Sequence, residues 1–234
     1  MSRFPRQLPF PLHGPPEYSR DSYVVGDSNR EAIRLVEAWP DWPSPVALMT
    51  GPAGSGKSHL AHIWAERSGA RVVAAETLAG QPAELLGEHR AVAVEDVGAD
   101  SLPQREMFHL LNAAREAGGS VLLTARAPVS DWRLSLPDLA SRLRLATPIR
   151  LMPPDDELLR QVLVKLFADR QLVVDRPVVD YLVVRIERSL SAAGRVVDLI
   201  DRAALATHRA VSRALAAEVL AELEEVAEDV PLDS

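Results

Sequence analysis

The chain has 234 residues, 47% hydrophobic and 25% charged, with a net charge of −7 and no cysteine. That leaves room for one α/β domain and a small second one, excludes disulfides and thiolate metal sites, and argues against a chain that is basic overall and grips nucleic acid. No stretch approaches the ~18 apolar residues of a membrane span, and Met1–Arg6 leads into no apolar leader, so a cytoplasmic protein with no membrane contact is expected.

The first twenty residues carry Pro5, Pro9, Pro11, Pro15 and Pro16 with Gly14, a density that disfavours both helix and central strand. Within them Gln7-Leu8-Pro9-Phe10-Pro11-Leu12 alternates apolar side chains along a proline-stiffened segment. Such a segment either packs on its own domain or docks as a linear peptide in a partner's apolar pockets. Tyr23–Asn29 follows, then a helical pattern over Arg30–Trp39 that Pro40 ends, and Trp42–Pro45 reads as a loop.

Val46–Thr50 is an apolar strand running into Gly51-Pro52-Ala53-Gly54-Ser55-Gly56-Lys57-Ser58. The spacing is G-x-x-x-x-G-K-S, the P-loop pattern, with a helix expected from Lys57 to Ser68 behind it. Gly51, Gly54 and Gly56 are read as allowing backbone conformations that turn successive N–H groups inward onto phosphate oxygens. The helix start offers further N–H groups to the same anion. Lys57 would reach the β- and γ-phosphates and Ser58 would ligate Mg²⁺.

Strands are then expected at Arg71–Ala75, Ala91–Val94, Ser120–Thr124 and Pro148–Leu151. Helices fall at Pro82–Leu86 and Pro103–Ala117. Strands separated by helices predict an α/β fold, a parallel sheet covered on both faces. Beyond Pro153 the strand signal stops. Helical patterns over Asp155–Asp169, Val178–Glu187, Arg195–Arg209 and Val211–Ala227 predict a small all-helical lid. The division expected is a tail over 1–20, a nucleotide-binding domain over 21–152 and the lid over 153–234.

A P-loop needs a carboxylate at the end of a second strand to serve Mg²⁺ and water, and Glu95-Asp96 follows the apolar run Val92–Val94. Thr124 ends the next strand with a hydroxyl suited to a γ-phosphate or a water. Arg142 and Arg144 share one short helix, an arrangement that offers a guanidinium to a neighbouring nucleotide. Gly194-Arg195 is read as opening a lid helix, which would place Arg195 near a phosphate bound between the domains. The histidines show no metal-ligand spacing.

Together these residues resemble AAA+ ATPase domains of the DnaA clade. The resemblance rests on Tyr23–Asn29, Gly51–Ser58, Val92–Asp96, Leu122-Leu-Thr124, Leu139-Ala-Ser-Arg142-Leu and Gly194-Arg195. A short form with an N-terminal glutamine-containing hexapeptide is similar to the Hda (HdaA) family of DnaA-related regulatory inactivators. That resemblance implies that Gln7, Leu8, Phe10 and Leu12 bind the sliding clamp of DNA polymerase III. It implies an arginine finger at Arg142 acting in trans on DnaA's ATP, a first sensor at Thr124 and a second at Arg195. It extends the contacts to ATP or ADP to Val24, Val25, Pro52, Ala53, Ser55 and His59, with Mg²⁺ served by Ser58 and by Glu95 or Asp96.

Two departures keep alternatives open. The family's acidic pair usually begins with Asp, and Arg144 is a second arginine where the family usually has one. The resemblance further implies weak or no intrinsic ATPase activity, a possible nucleotide-dependent homo-oligomer, and no direct sequence-specific DNA binding, since too few residues follow the lid for DnaA's DNA-binding domain. A related helicase loader and a P-loop kinase or metabolic ATPase are the rival readings.

Overall fold

The computed structural model describes residues 18–78, 82–98 and 102–228; Gln7, Leu8, Phe10 and Leu12 lie outside the described residues. In chain order the elements are α1 (Arg30–Glu37), β1 (Val46–Thr50), α2 (Lys57–Ser68), β2 (Arg71–Ala74), β3 (Ala91–Val97), α3 (Gln104–Ala117), β4 (Ser120–Ala125), α4 (Pro137–Arg144) and β5 (Thr147–Arg150). Four helices follow without a strand: α5 (Asp156–Asp169), α6 (Arg176–Val183), α7 (Leu190–Thr207) and α8 (Arg213–Glu228). The strands form one parallel sheet in the order β2-β3-β4-β1-β5.

The pleat sorts the side chains. Ala47 and Met49 of β1 and Leu122 of β4 face α1 and α2, joining Ile33, Leu60 and Trp64 in one core. Their neighbours Leu48, Val121 and Leu123 face the other way, onto Met107 and Leu110 of α3 and Leu139 and Leu143 of α4. Strands buried on both faces therefore read as unbroken apolar runs, as the sequence suggests. Trp64 anchors the first face, stacked on Trp42 at 5.5 Å and meeting Trp39 edge-on at 6.1 Å. The four C-terminal helices close a third core around Leu163, Phe167, Leu182, Val197 and Leu215.

The α/β class and the helical addition are as expected, and the differences have physical causes. β3 runs on to Val97 because a register shift between Val94 and Val97 absorbs Glu95 and Asp96 without ending the strand. β5 begins at Thr147 and includes Pro148, tolerated because β5 is an edge strand paired to β1 alone. α6 stops at Val183. α7 starts at Leu190, five residues before Arg195, because Ser189 caps it: its Oγ accepts from Ala192 N–H at 3.3 Å. Among the described residues no helix is long and apolar enough to cross a membrane.

Candidate functional site

The parallel sheet brings the C-terminal ends of β1, β3 and β4 to one edge, which carries Gly51–Ser58, Glu95, Asp96 and Thr124. β1 delivers the chain into the turn Gly51–Gly56. Gly54 and Gly56 have φ of 67° and 100°, and Gly56 caps α2 in this left-handed form, a conformation costly for other residues. At Gly51 the reason differs from the one read in the sequence. Its φ is ordinary, but a Cβ there would lie 2.6 Å from the Leu151 carbonyl oxygen. A close approach of the chain leaving β5 requires that glycine.

Lys57 is 8% exposed, and its Nζ donates to the carbonyls of Gly51 at 2.9 Å and Pro52 at 2.8 Å. Burial lowers its pKa; the charge of Asp96 opposes this, Arg126 adds to it, and Glu95 opposes it. Ser58, Pro52 and Ala53 are exposed at the rim. Ser55 Oγ is buried with no hydrogen-bond partner, and Glu95 Oε1 is likewise buried and unpartnered. Asp96 is exposed and adopts φ of 54°. Its strained backbone is held by Thr124, which is 1% exposed and whose Oγ1 accepts from Asp96 N–H at 3.1 Å. Thr124 thus braces the acidic bulge, and its own O–H stays free to donate.

On the other side of the P-loop lies the segment before α1. Asn29 is buried and brackets Val24–Gly26: Nδ2 donates to Val24 O at 3.0 Å, and Gly26 N–H donates to Oδ1 at 2.9 Å. Val24 and Val25 are half-buried there, and Gly26 abuts Leu158 of α5. His59 is turned toward this segment. Its Nε2–H donates to Ser19 O at 2.8 Å, and its ring meets Tyr18 and Tyr23 edge-on. Burial lowers its pKa, against the opposing hydrogen bond to Ser19.

α7 closes over the P-loop: Leu190 N–H donates to Gly54 O at 2.7 Å. A Cβ at Gly54 would collide with Ser189 Oγ and Ser191 Oγ. Arg195 therefore does not open the helix, as the sequence reading has it, but stands in its second turn. From there its Nη1 donates back to Ser191 Oγ at 3.4 Å, with Glu187 3.9 Å from its Nη2. Ser189 and Ser191 are what the helix sets against the P-loop; a cap residue ahead of Leu-Ser-Ala-Ala was the available signal.

Arg142 lies apart from this edge, in the last turn of α4. Its guanidinium rests over the Phe108 ring at 5.2 Å, and among the described residues it forms no ion pair. Arg144 beside it is exposed, and Leu145 is 76% exposed. Among the described residues no group of three or more His, Cys, Asp or Glu side chains is arranged to hold a metal.

No family model matches the chain. Among solved structures, domain III of the Thermotoga maritima replication initiation protein DnaA is similar, with a TM-score of 0.74 over 89% of this chain and 97% of that one at 17% identity. The fold is that of an AAA+ P-loop NTPase. AMPPCP-bound DnaA from Aquifex aeolicus has a TM-score of 0.67 at 20% identity, over 80% of this chain and 65% of that one. In sequence, the chromosomal replication initiator protein DnaA of Thermomicrobium roseum is 29% identical over 248 aligned residues, 92% of this chain and 52% of that protein. This chain therefore spans about half the length of that relative. In sequence the chain is thus similar to part of a DnaA replication initiator, and in fold to DnaA domain III.

Proposed function

We propose that this chain binds ATP or ADP with Mg²⁺ at Gly51–Ser58 and regulates replication initiation by promoting hydrolysis of DnaA-bound ATP while attached to the polymerase sliding clamp. The observation that carries nucleotide binding is the edge around Lys57. A buried ammonium lies on two P-loop carbonyls, and two buried oxygens nearby, Ser55 Oγ and Glu95 Oε1, have no partner. Unpaired buried polar atoms cost stability unless a ligand or water satisfies them. The residues fit the group. The P-loop N–H groups and Lys57 hold the phosphates, Ser58 and one of Glu95 and Asp96 hold Mg²⁺, and Val24 and Val25 line the nucleoside side. The bound ion neutralises charge on the terminal phosphates. Glu95 Oε1 would accept from a water, and the Thr124 hydroxyl would donate to a phosphate oxygen. Arg195, bonded to Ser191, would contribute from α7.

The trans action is supported by α4. An arginine finger must reach out of its own subunit, so it should be aimed but unpaired, and among the described residues Arg142 is held by a ring face and by no carboxylate. Arg144 and Leu145 widen the same exposed end. Clamp attachment falls to Gln7, Leu8, Phe10 and Leu12. The test is paired. Immobilised clamp is expected to retain the full chain and to lose it when residues 1–12 are removed. ATP preloaded on DnaA is expected to hydrolyse faster in a single turnover when the full chain, clamp and primed DNA are present. Retention of the replicative helicase in place of the clamp would overturn this reading in favour of a loader.

A further inference from the structure

α7 meets the P-loop through two serines. Ser189 Oγ and Ser191 Oγ are bonded to each other at 2.7 Å, and both lie so close to Gly54 that no Cβ fits there. Between them, Leu190 N–H donates to Gly54 O. Ser189 is buried and, as the cap of α7, accepts from Ala192 N–H, so it cannot turn away without uncapping the helix. The Ser191 hydroxyl is thereby held in register with the P-loop backbone.

One turn along the same face of α7 stands Arg195. Its side chain is 62% exposed, and a long cation at such exposure has many rotamers to lose when a ligand fixes it. Two groups restrain it. Glu187 lies 3.9 Å from Nη2 but is itself 71% exposed, and an ion pair between two solvated groups fixes little. Ser191 Oγ accepts from Nη1 at 3.4 Å. That bond is long, yet its acceptor is anchored to Ser189 and seated on Gly54, whereas the Glu187 carboxylate has no second partner among the described residues. Gly54, Ser191 and Arg195 therefore form one chain of contacts from the loop to the guanidinium.

We propose that Ser191 is a positioning residue: its hydroxyl holds the Arg195 guanidinium in register with the P-loop, so that a nucleotide meets this cation already ordered. The inference rests on the nucleotide site proposed above and gives Ser191 no contact with phosphate or Mg²⁺. A group ordered beforehand loses less freedom on binding, and the difference appears as affinity.

The test is a double-mutant cycle read by isothermal titration of the full chain with Mg·AMPPNP, on the wild type, Ser191→Ala, Arg195→Ala and the pair, with Ser191→Thr beside them. Arg195→Ala is expected to weaken the nucleotide roughly 10- to 100-fold, the range of a charge-assisted hydrogen bond. Ser191→Ala is expected to weaken it roughly 3- to 10-fold, and by less than about twofold once residue 195 is already alanine. Ser191→Thr keeps the hydroxyl and is expected to bind within about twofold of the wild type. A serine that merely docks α7 on the P-loop would matter with or without Arg195. A Ser191→Ala loss that persists in the Arg195→Ala background therefore overturns the proposal. So does Ser191→Ala without effect, Ser191→Thr as weak as Ser191→Ala, or Arg195→Ala as tight as the wild type. A wild type that binds no nucleotide overturns the P-loop reading itself and this inference with it.

Discussion

The P-loop edge and the last turn of α4 both present cationic side chains, and the protein treats them in opposite ways. At the P-loop, Lys57 lies on two backbone carbonyls, Thr124 braces Asp96, and α7 bonds to Gly54. At α4, among the described residues, Arg142 has the face of Phe108 and no ion pair, and Arg144 is exposed beside the exposed Leu145. On the function proposed above, Lys57 would serve the chain's own ligand and has resting partners built in. Arg142 would serve another molecule, and a carboxylate partner would then have to be displaced at each encounter.

The contrast can be broken at four points. The largest effect is expected from Arg142→Ala, which should lower stimulation of DnaA-bound ATP hydrolysis by roughly 10³–10⁵-fold, the worth of a finger arginine, in single-turnover assays. Nucleotide affinity of the variant should not change. Arg144→Ala serves as the control and should be milder; the reverse ranking would move the finger by two residues. Next, Lys57→Ala should weaken ADP binding by about 100-fold or more in equilibrium titrations, since it removes a charged partner of the phosphates. Unchanged affinity there would sink the nucleotide site while leaving α4 untouched.

Phe108→Leu keeps apolar volume in the core but removes the ring under Arg142. A cation–π contact is worth about 0.5–1 kcal/mol at such sites, so stimulation should fall roughly 2- to 5-fold, with nucleotide binding unaffected. Full stimulation would mean that the ring does not aim the arginine. The smallest effect concerns His59, on the P-loop side. Burial keeps its folded pKa below the ordinary 6.5, so the unfolded chain takes up the proton first. Stability is then complete above about pH 6.5 and falls as pH drops through that value toward the folded pKa. Melting temperatures between about pH 7.5 and 5.5 should decline less steeply for His59→Gln than for the wild type. Parallel slopes would show that His59 does not couple the Ser19–Tyr23 segment to protonation.

The two regions also differ in how far they can be read from the chain. The P-loop edge is local in sequence: β1, the glycine turn and α2 over Lys57–Ser68 follow from one contiguous pattern. Glu95 and Asp96 are legible as an acidic end to an apolar run, but their bulge is not, because it depends on Thr124 one strand away. The sequence places the start of α7 at Arg195 and not Leu190 because Gly194 suggests a boundary. In the helix it is tolerated, a Cβ there meeting nothing within 4 Å, and the Ser189 cap decides the boundary instead.

The bond from Leu190 N–H to Gly54 O is a backbone link between the helical bundle and the P-loop. That amide can exchange its proton with solvent only when α7 lifts from the P-loop or the protein unfolds, so it records the opening of the crevice directly. Measured by deuterium uptake at Leu190 alone, and set against amides buried in the bundle core, the breathing of the joint becomes a rate with its own free energy. The passage of a ligand in or out can then be timed against it.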